Sequence, residues 1–382
     1  MSDQESVPAA LYRGGTSKGV YVRKRAMPGD RGEWDDLLLD LFGSPDPQQT
    51  DGIGGARSTA SKALLVSPGE GRADARYLFA QVGIDRPVVD WGGNCGNLTF
   101  AVGPFAVERG IVDVPPAAAE EGRVDLLLEN ENTGTVVEQS VPVLPDGSPR
   151  YGGEFRVHGV PGTGARIRST FRDPAGSETG DLFPTGNRTD TLSVEGVGDV
   201  AASLVDVASP CVFVRAADLG LTAAERPEEV DADPDLLDRI ERVRAAACAR
   251  YGFVDDPGDA GDVSPGIPKM AMVGEKRPYE TPDGRRVDPD EFDLLARIMS
   301  MQKAHHAYAV TGGMCTAVAA ALPGTIPAEF ADDVGERVRI GHPKGTMTVG
   351  VGVDGDSVEY AWIDRTARAI FDGDLYYVQD DD

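Results

Sequence analysis

Two stretches of this chain are apolar almost all the way round, and each runs on from a cysteine that follows a glycine pair. "GNLTFAVGPFAVERG" continues from Cys95 and "TAVAAALPG" from Cys315. A helix without a polar face must be surrounded by protein. The pattern therefore predicts two buried helices, each beginning at a corner, Gly92-Gly93-Asn94-Cys95 and Gly312-Gly313-Met314-Cys315. Elsewhere alternation dominates. "ALYRGGTSKGVYVR" reads as strand, glycine-polar turn, strand. "SKALLVS" and "ARYLFAQVG" read as strands, and "RVDLLLENENTGTVVEQSVPVLP" and "TMTVGVGVDGDSVEYAWID" as antiparallel strands joined by polar turns. "WDDLLLDLFG" is a short amphipathic helix ended by Gly43. "PEEVDADPDLLDRIERVRAAACARYG" is a surface helix with Asp238, Glu241 and the following arginines on its solvated side. The turn-rich "PDGSPRYGGEFRVHGVPGTG" reads as loops around a strand.

These elements recur. "TSKGVYVR" (Thr16 to Arg23) has a partner in "ASPCVFVR" (Ala208 to Arg215), and "SKALLV" in "PKMAMV", so that Lys62 meets Lys269; then Cys95 meets Cys315. The three matches are colinear, and their offsets grow as if the second copy carried insertions. We read a duplicated mixed α+β unit with one central helix in each copy. The expected boundaries are 1–187 and 188–382, with the junction in "GDLFPTGNRTDTLS" and the last strand a candidate to return to the first unit. At 382 residues, two domains are also what core size predicts.

Composition sharpens the picture. The chain carries 63 acidic against 37 basic residues, a formal net charge of −26. A dispersed negative surface repels nucleic acid and anionic membranes. It suits a cytoplasm at high salt, where screening is nearly complete, and a halophilic source is the expectation. No run approaches the roughly 18 apolar residues of a membrane span, and "MSDQESVPAA" lacks the features of a signal peptide, so the expected location is cytoplasmic. Lysine is confined to positions 18, 24, 62, 269, 276, 303 and 344. A lysine beside a glycine-rich or apolar motif therefore stands out. The four cysteines show no CxxC or zinc spacing. Cys211 and Cys248 read as small core residues.

The cysteine corners suggest chemistry. A thiol at the start of a buried helix meets the positive end of the helix dipole and unpaired N–H groups, which favour thiolate and attract anions. Such a corner can hold a carboxylate and present a proton-transfer group beside it. Lys62, on a strand between Ser61 and an apolar run, is a second proton carrier: dehydrated surroundings lower a lysine's proton affinity and make it usable as a base. "LYRGGTSKGVY" lacks the spacing of a nucleotide-binding loop, and a carboxylate-binding turn built from Thr16, Ser17 and backbone amides fits it better. "IGHPKG" adds another polar corner, with His342 and Lys344. His305 and His306 have no third ligand at metal spacing, so no metal is assigned.

Taken with "RGGTSKGVYV", "GSPDPQQTDGIGGARSTASKALLV", "YLFAQVGID", "NCGNLTFAVGPFAVERGIV", "VPGTGARIRSTFRDPAG", "PTGN", "HAYAVTGGMCTAVAAALPGT" and "IGHPKG", the sequence resembles the PrpF family, which includes methylaconitate isomerases and 4-oxalomesaconate tautomerases, within the diaminopimelate epimerase-like superfamily. The motifs cover nearly the whole chain in order. The resemblance implies two similar domains, each a curved mixed sheet wrapped around a central helix, with the active site between them. It implies a cofactor-independent allylic proton shift or cis-trans isomerisation of a small unsaturated di- or tricarboxylate. The family's lysine and cysteine fall on Lys62 and Cys95, an acid/base pair whose order stays open. Thr16, Ser17, Lys18, Ser61, Asn94, Gly96 and Asn97 would contact substrate from the first domain, and Lys269, Gly312, Met314, Cys315, His342 and Gly345 from the second. A homodimer is a candidate assembly. Two features depart from the family pattern: alanine precedes Ser61-Lys62, and "HPKG" puts Lys344 where the family has serine. Two other readings stand beside this one. One is a racemase or epimerase using Cys95 and Cys315 as facing acid and base; the other is a polycarboxylate-binding protein without turnover.

Overall fold

The alternation read from the sequence becomes a sheet in each of two units. The computed structural model describes residues 4–92, 94–332 and 334–378. One unit runs to residue 169 and resumes at 364; the other spans 170–363. The junction thus lies ahead of the expected 187/188. The reason is Asp206, fully buried in the second unit, whose carboxylate accepts hydrogen bonds from the Ser177 hydroxyl (2.6 Å) and from the Glu178 and Thr179 amides (2.8 Å each). That anchor holds the turn-rich stretch after residue 173 to the second unit, where composition suggested a linker.

In the first unit, β1 (Gln4–Gly14) and β2 (Ser17–Arg23) form an antiparallel hairpin. Next, β2 lies parallel to β3 (Lys62–Pro68), β3 antiparallel to β4 (Ala75–Val82), and β4 parallel to Arg123–Asn130, which pairs antiparallel with Val136–Pro142. The last strand, Ala367–Val378, pairs antiparallel with β1. The second unit repeats the same alternation through Gly198–Asp206, Pro210–Arg215, Lys269–Gly274, Leu294–Ser300, Arg337–His342 and Gly345–Asp354. Even the register agrees: Val20 lies opposite Ala63, and Val212 opposite Met270.

Each sheet is covered on both faces, which explains why "KALLV" is apolar throughout. In the first unit Val20, Val22, Ala63 and Leu65 face α1 (Trp34–Phe42), which ends at Gly43 in a left-handed conformation (φ 70°). Tyr21, one residue out of phase, turns to α2 (Gly96–Glu108), its ring 5.5 Å from that of Phe105. Gly96 to Ala106 are all buried, as the missing polar face predicted. In the second unit the helix Pro234–Tyr251 covers Val212, Val214, Met270 and Met272, and Val310–Ala320 is the buried central helix. The expected single surface helix is in fact two, because Asp233 caps a new start at Pro234 after Pro227–Asp231. Arg244, read as solvated, is buried and donates to the carbonyls of Ala260 and Ser264. The turn-rich stretch from 145 to 164 contains only isolated bridges and no strand among the described residues.

α2 contains Pro104, which has no N–H and crowds the preceding turn. The break is mended from outside. Gly103 N–H, whose regular helical partner is the Thr99 carbonyl, donates to Gln139 Oε1 (3.0 Å), and Gln139 Nε2 donates to that carbonyl (3.0 Å) and to Ser169 Oγ (3.1 Å). A fully buried side-chain amide is thus spliced into the ladder of the helix.

Candidate active site

The glycine-polar turn of the β1–β2 hairpin seats the first turn of α2. Gly15 has φ +48°, and a Cβ there would fall 2.0 Å from Asn97 Oδ1. Only a glycine lets the chain come so close. Asn97 Oδ1 accepts the Thr16 N–H (3.2 Å), so this side chain holds the turn. Ser17 is buried where the hairpin closes, and the Lys18 N–H donates to the Thr59 carbonyl (3.0 Å). Gly19 stands where β3 and α2 meet: a Cβ there would lie 2.6 Å from Leu98 Cδ1 and 2.8 Å from the Lys62 carbonyl oxygen.

Lys62 opens β3 and is 9% exposed. Its ammonium donates to Gln81 Oε1, directly across the β3–β4 ladder, and lies 5.2 Å from the centre of the Phe79 ring. Gln81 is oriented in turn by its Nε2, which donates to the Ser61 carbonyl (2.9 Å). Ser61 itself is fully buried, and its hydroxyl donates to Gln49 Oε1 (2.6 Å). Gln49 also accepts the Ala56 N–H (2.8 Å). The Ser61 hydroxyl, expected to contact substrate, is engaged with the loop that precedes Lys62.

Cys95 is half-buried and is the N-cap residue of α2, with no side-chain hydrogen bond closing the helix start. Its carbonyl accepts the Thr99 N–H (3.1 Å). Tyr77 bonds Thr99 Oγ1 (3.1 Å) and Tyr21 donates to the Leu98 carbonyl. Burial, and then the neighbouring Cys95, push the Tyr21 phenol well up; burial raises that of Tyr77. Both are thus neutral hydrogen-bonding groups around the thiol. Asn94 Oδ1 is buried without a hydrogen-bond partner among the described residues, whereas Gly93 lies outside them. Gly96 is buried at the first helical position.

Arg365, which periodicity gave no reason to single out, is buried with its stem against Gly15. Its Nη1 donates to the Asp364 carbonyl (2.9 Å), and burial lowers its pKa to about 10. Asp364 in turn takes Arg168 in a two-pronged pair (2.8 Å each). The signal lay in an Asp-Arg dipeptide that follows the apolar run Tyr360 to Ile363 at the end of its strand. Gln81 and Gln49 were missed as well; the polar residue facing Lys62 across the ladder becomes identifiable only once the register is known.

The second unit does not reproduce the corner. Its central helix begins at Val310 after Ala309 as N-cap, so Gly312, Gly313, Met314 and Cys315 lie inside the helix, all buried. The two glycines are packing positions: a Cβ at Gly312 would meet Ile298 at 2.4 Å, and at Gly313 it would meet Met347 at 2.5 Å. Cys315 is 0% exposed, its thiol donates to the Val205 carbonyl (3.3 Å), and burial followed by Cys211 pushes its pKa well up. Gly312, Met314 and Cys315, expected as substrate contacts, are thus all buried within the helix, and the burial of Cys315 disfavours a facing pair of cysteines. Lys269 opens its strand as Lys62 does, and donates to Ser209 Oγ (3.0 Å). His342 is buried at the end of the Arg337–His342 strand, and its Nδ1 accepts the Lys344 N–H (3.3 Å). Gly345, at φ +126°, accepts Tyr279 OH through its carbonyl (2.6 Å). "HPKG" is thus a hairpin turn, with Lys344 half-buried at its tip. Cys211 and Cys248 are buried, as read from sequence. Among the described residues no three His, Cys, Asp or Glu side chains stand together as a metal site, and no helix is long and apolar enough to cross a membrane.

Comparison with known proteins extends this geometry. The family model described as PrpF protein matches residues 4–378. The 3-methylitaconate isomerase of Eubacterium barkeri is 40% identical over 380 residues, covering 98% of each chain. The 2-methyl-aconitate isomerase of Shewanella oneidensis is 37% identical, covering 97% of this chain and 96% of its own. The (4E)-oxalomesaconate Delta-isomerase of Novosphingobium sp. is 38% identical over 98% of both. The crystal structure of a methylitaconate-delta-isomerase superposes with a TM-score of 0.82 at 39% identity, covering 99% of this chain and 97% of that one. A hydroxyproline epimerase from Agrobacterium vitis shares the fold at a TM-score of 0.54 and 14% identity, covering 98% and 93%.

Proposed function

The chain belongs to the PrpF family, and we propose that it is a double-bond isomerase of small unsaturated polycarboxylates that works by moving a proton between the two ends of an allyl unit. The isomerase class rests on the activities named for its full-length relatives. The residue-level reading is supported by one observation above all: Cys95 caps an α2 start that no side chain closes, while Lys62 opens the strand that meets the same helix turn at Gly19.

In this mechanism one group of the pair takes a proton from the allylic carbon. The electron pair left behind spreads across the C=C bond into the conjugated carboxylate as a dienolate. The other group returns a proton to the far carbon of the allyl unit, and the double bond ends one position along. No electrons are lost to an acceptor, so the balance calls for no redox cofactor. Charge grows on the carboxylate during the step, and preorganised N–H groups facing it contribute more to the transition state than to the ground state. The amides at the start of α2 and of the Thr16 turn, the Asn94 side chain and the Arg365 cation supply that field. Gln81 fixes Lys62 by accepting from its ammonium across the β3–β4 ladder.

The finer reading adds a salt-rich cytoplasm, supported by the charge of −26. It also adds a homodimer, supported by exposed Ile370, Phe371, Tyr376 and Val378 on the last strand. Light scattering tests the second and thermal unfolding against KCl the first. The deciding experiment is proton NMR in D2O with aconitate, 2-methylaconitate, 3-methylitaconate and 4-oxalomesaconate, and with diaminopimelate as the contrast. Interconversion of one tricarboxylate or itaconate with deuterium entering its allylic position is the expected result. Exchange confined to the α-carbon of the amino acid would overturn the reading.

A further inference from the structure

The duplication provides an internal control for one arginine. Arg23, at the end of β2, matches Arg215 at the end of its counterpart strand. Arg215 is neutralised within its own unit: Nε and Nη2 grip the Glu329 carboxylate at 2.8 and 2.6 Å. Arg23 has no acidic partner among the described residues, and neither has its neighbour Arg25. Acids outnumber bases 63 to 37 in this chain, and Arg168, Arg215 and Arg339 each grip a carboxylate, so the difference between Arg23 and its counterpart Arg215 calls for an explanation.

Arg23 and Arg25 face the same space. A cavity of about 250 Å³ is lined by Arg23, Arg25 and Arg109, by Tyr21 and Phe105, and by Asp372. Asp372 pairs with Arg109, the residue that closes the C-terminal end of α2, so three cations face one acid and the cavity keeps a net charge of +2. It is ample for a phosphate or a four-carbon dicarboxylate. α2 runs from Gly96 to Glu108, so at about 1.5 Å per residue this cavity lies about 20 Å from the Cys95 end.

We propose that this cavity is a binding site for a small dianionic oxyanion, a phosphate or a dicarboxylate, which occupies in the first unit the place that the Glu329 carboxylate takes in the second. Arg23 and Arg25 hold the ligand, and Asp372 competes with it for Arg109. A dianion so placed would be stripped of part of its water against Tyr21 and Phe105, where charge-assisted hydrogen bonds from arginine are strong. Ligation here ties β2 to the end of the helix that carries the site residue Cys95 at its other end.

The test is titration calorimetry of the full-length protein at constant ionic strength, with inorganic phosphate and with succinate in separate arms. The stronger of the two identifies the ligand's chemistry. One site per chain is expected. Arg23→Gln with Arg25→Gln should weaken binding at least tenfold while leaving kcat unchanged. Asp372→Asn should tighten binding several-fold by freeing Arg109. Binding that competes with substrate and survives the double substitution would place the anion at the active site and overturn the proposal, as would no heat in either arm. Circular dichroism of each variant separates loss of binding from loss of fold.

Discussion

The two central helices occupy the same place in the same sheet pattern, yet only one begins at a cysteine. In the first unit the chain leaves β4 at Val82, makes a long excursion through Trp91 and Asn94, and starts α2 at Cys95. In the second it leaves Ser300 and reaches the helix cap already at Ala309. The connection is shorter, the helix starts earlier, and the GGxC run that looked like a corner is drawn inside it. Lysine diverges in parallel. Lys62 meets the neutral Gln81, whereas Lys269 meets Ser209 and the field of Glu178. A duplicated scaffold conserved its strand register and let the loop before the helix decide which copy places a cysteine at the helix start.

The largest expected effect breaks this asymmetry directly. Cys95→Ala and Lys62→Ala should each lower turnover by about 10³-fold, within the usual range for a proton-transfer group, while Cys315→Ala should stay within about twofold of wild type and show its cost only in denaturant unfolding. Equal losses at Cys95 and Cys315 in initial-rate assays would restore the two-cysteine reading.

Next in size is Gln81. Gln81→Leu should lower kcat by about 10- to 100-fold with little change in KM, because it loosens Lys62 without touching substrate. Gln81→Glu places a carboxylate against the ammonium and raises its proton affinity. If Lys62 is the base, the acid limb of the rate profile moves to higher pH; if it is the acid, the alkaline limb does. An unmoved profile would remove Gln81 from the account.

Thiol labelling sharpens the contrast further. Iodoacetamide should modify Cys95 in the folded protein, with protection by substrate, and leave Cys315, Cys211 and Cys248 unlabelled by mass spectrometry. Ala309→Cys, at the real cap of the second helix, should add a labelled site.

The smallest effect lies beside Lys269. Burial, then Asp206, hold the Glu178 carboxyl above its ordinary range, with Lys269 opposing. A raised acid contributes stability below the ordinary carboxylate range and loses it as pH rises through the raised value. Glu178→Gln should therefore raise Tm by about 1–2 °C at pH 7 and leave it unchanged near pH 3.

Much of this was legible in the residues. Period-two alternation identified the paired strands, the all-apolar stretches identified the buried helices, and scarce lysine drew the eye to Lys62. What could not be read was where the second helix starts, since Gly312 and Gly313 can serve a turn or a close helix–strand contact equally well. The partner of Ser61 was hidden for a similar reason: a serine beside a lysine can face a ligand or a buried glutamine, and Gln49, twelve positions away, accepts its hydroxyl. Arg365 and Gln81 depend on pairings across the sheet, which no local window contains.

The amide of Gln139 has a consequence for how the protein comes into being. Because Pro104 interrupts α2 and the adjoining Gly103 N–H and Thr99 carbonyl are bonded from a strand more than thirty residues downstream, the helix that carries Cys95 cannot complete itself as it leaves the ribosome. Its last stitch is a long-range contact, of the kind that slows folding and makes it all-or-none. A nascent or partly opened first unit would lack a finished helix behind its thiol, so the cysteine corner and the closed sheet should appear and disappear together.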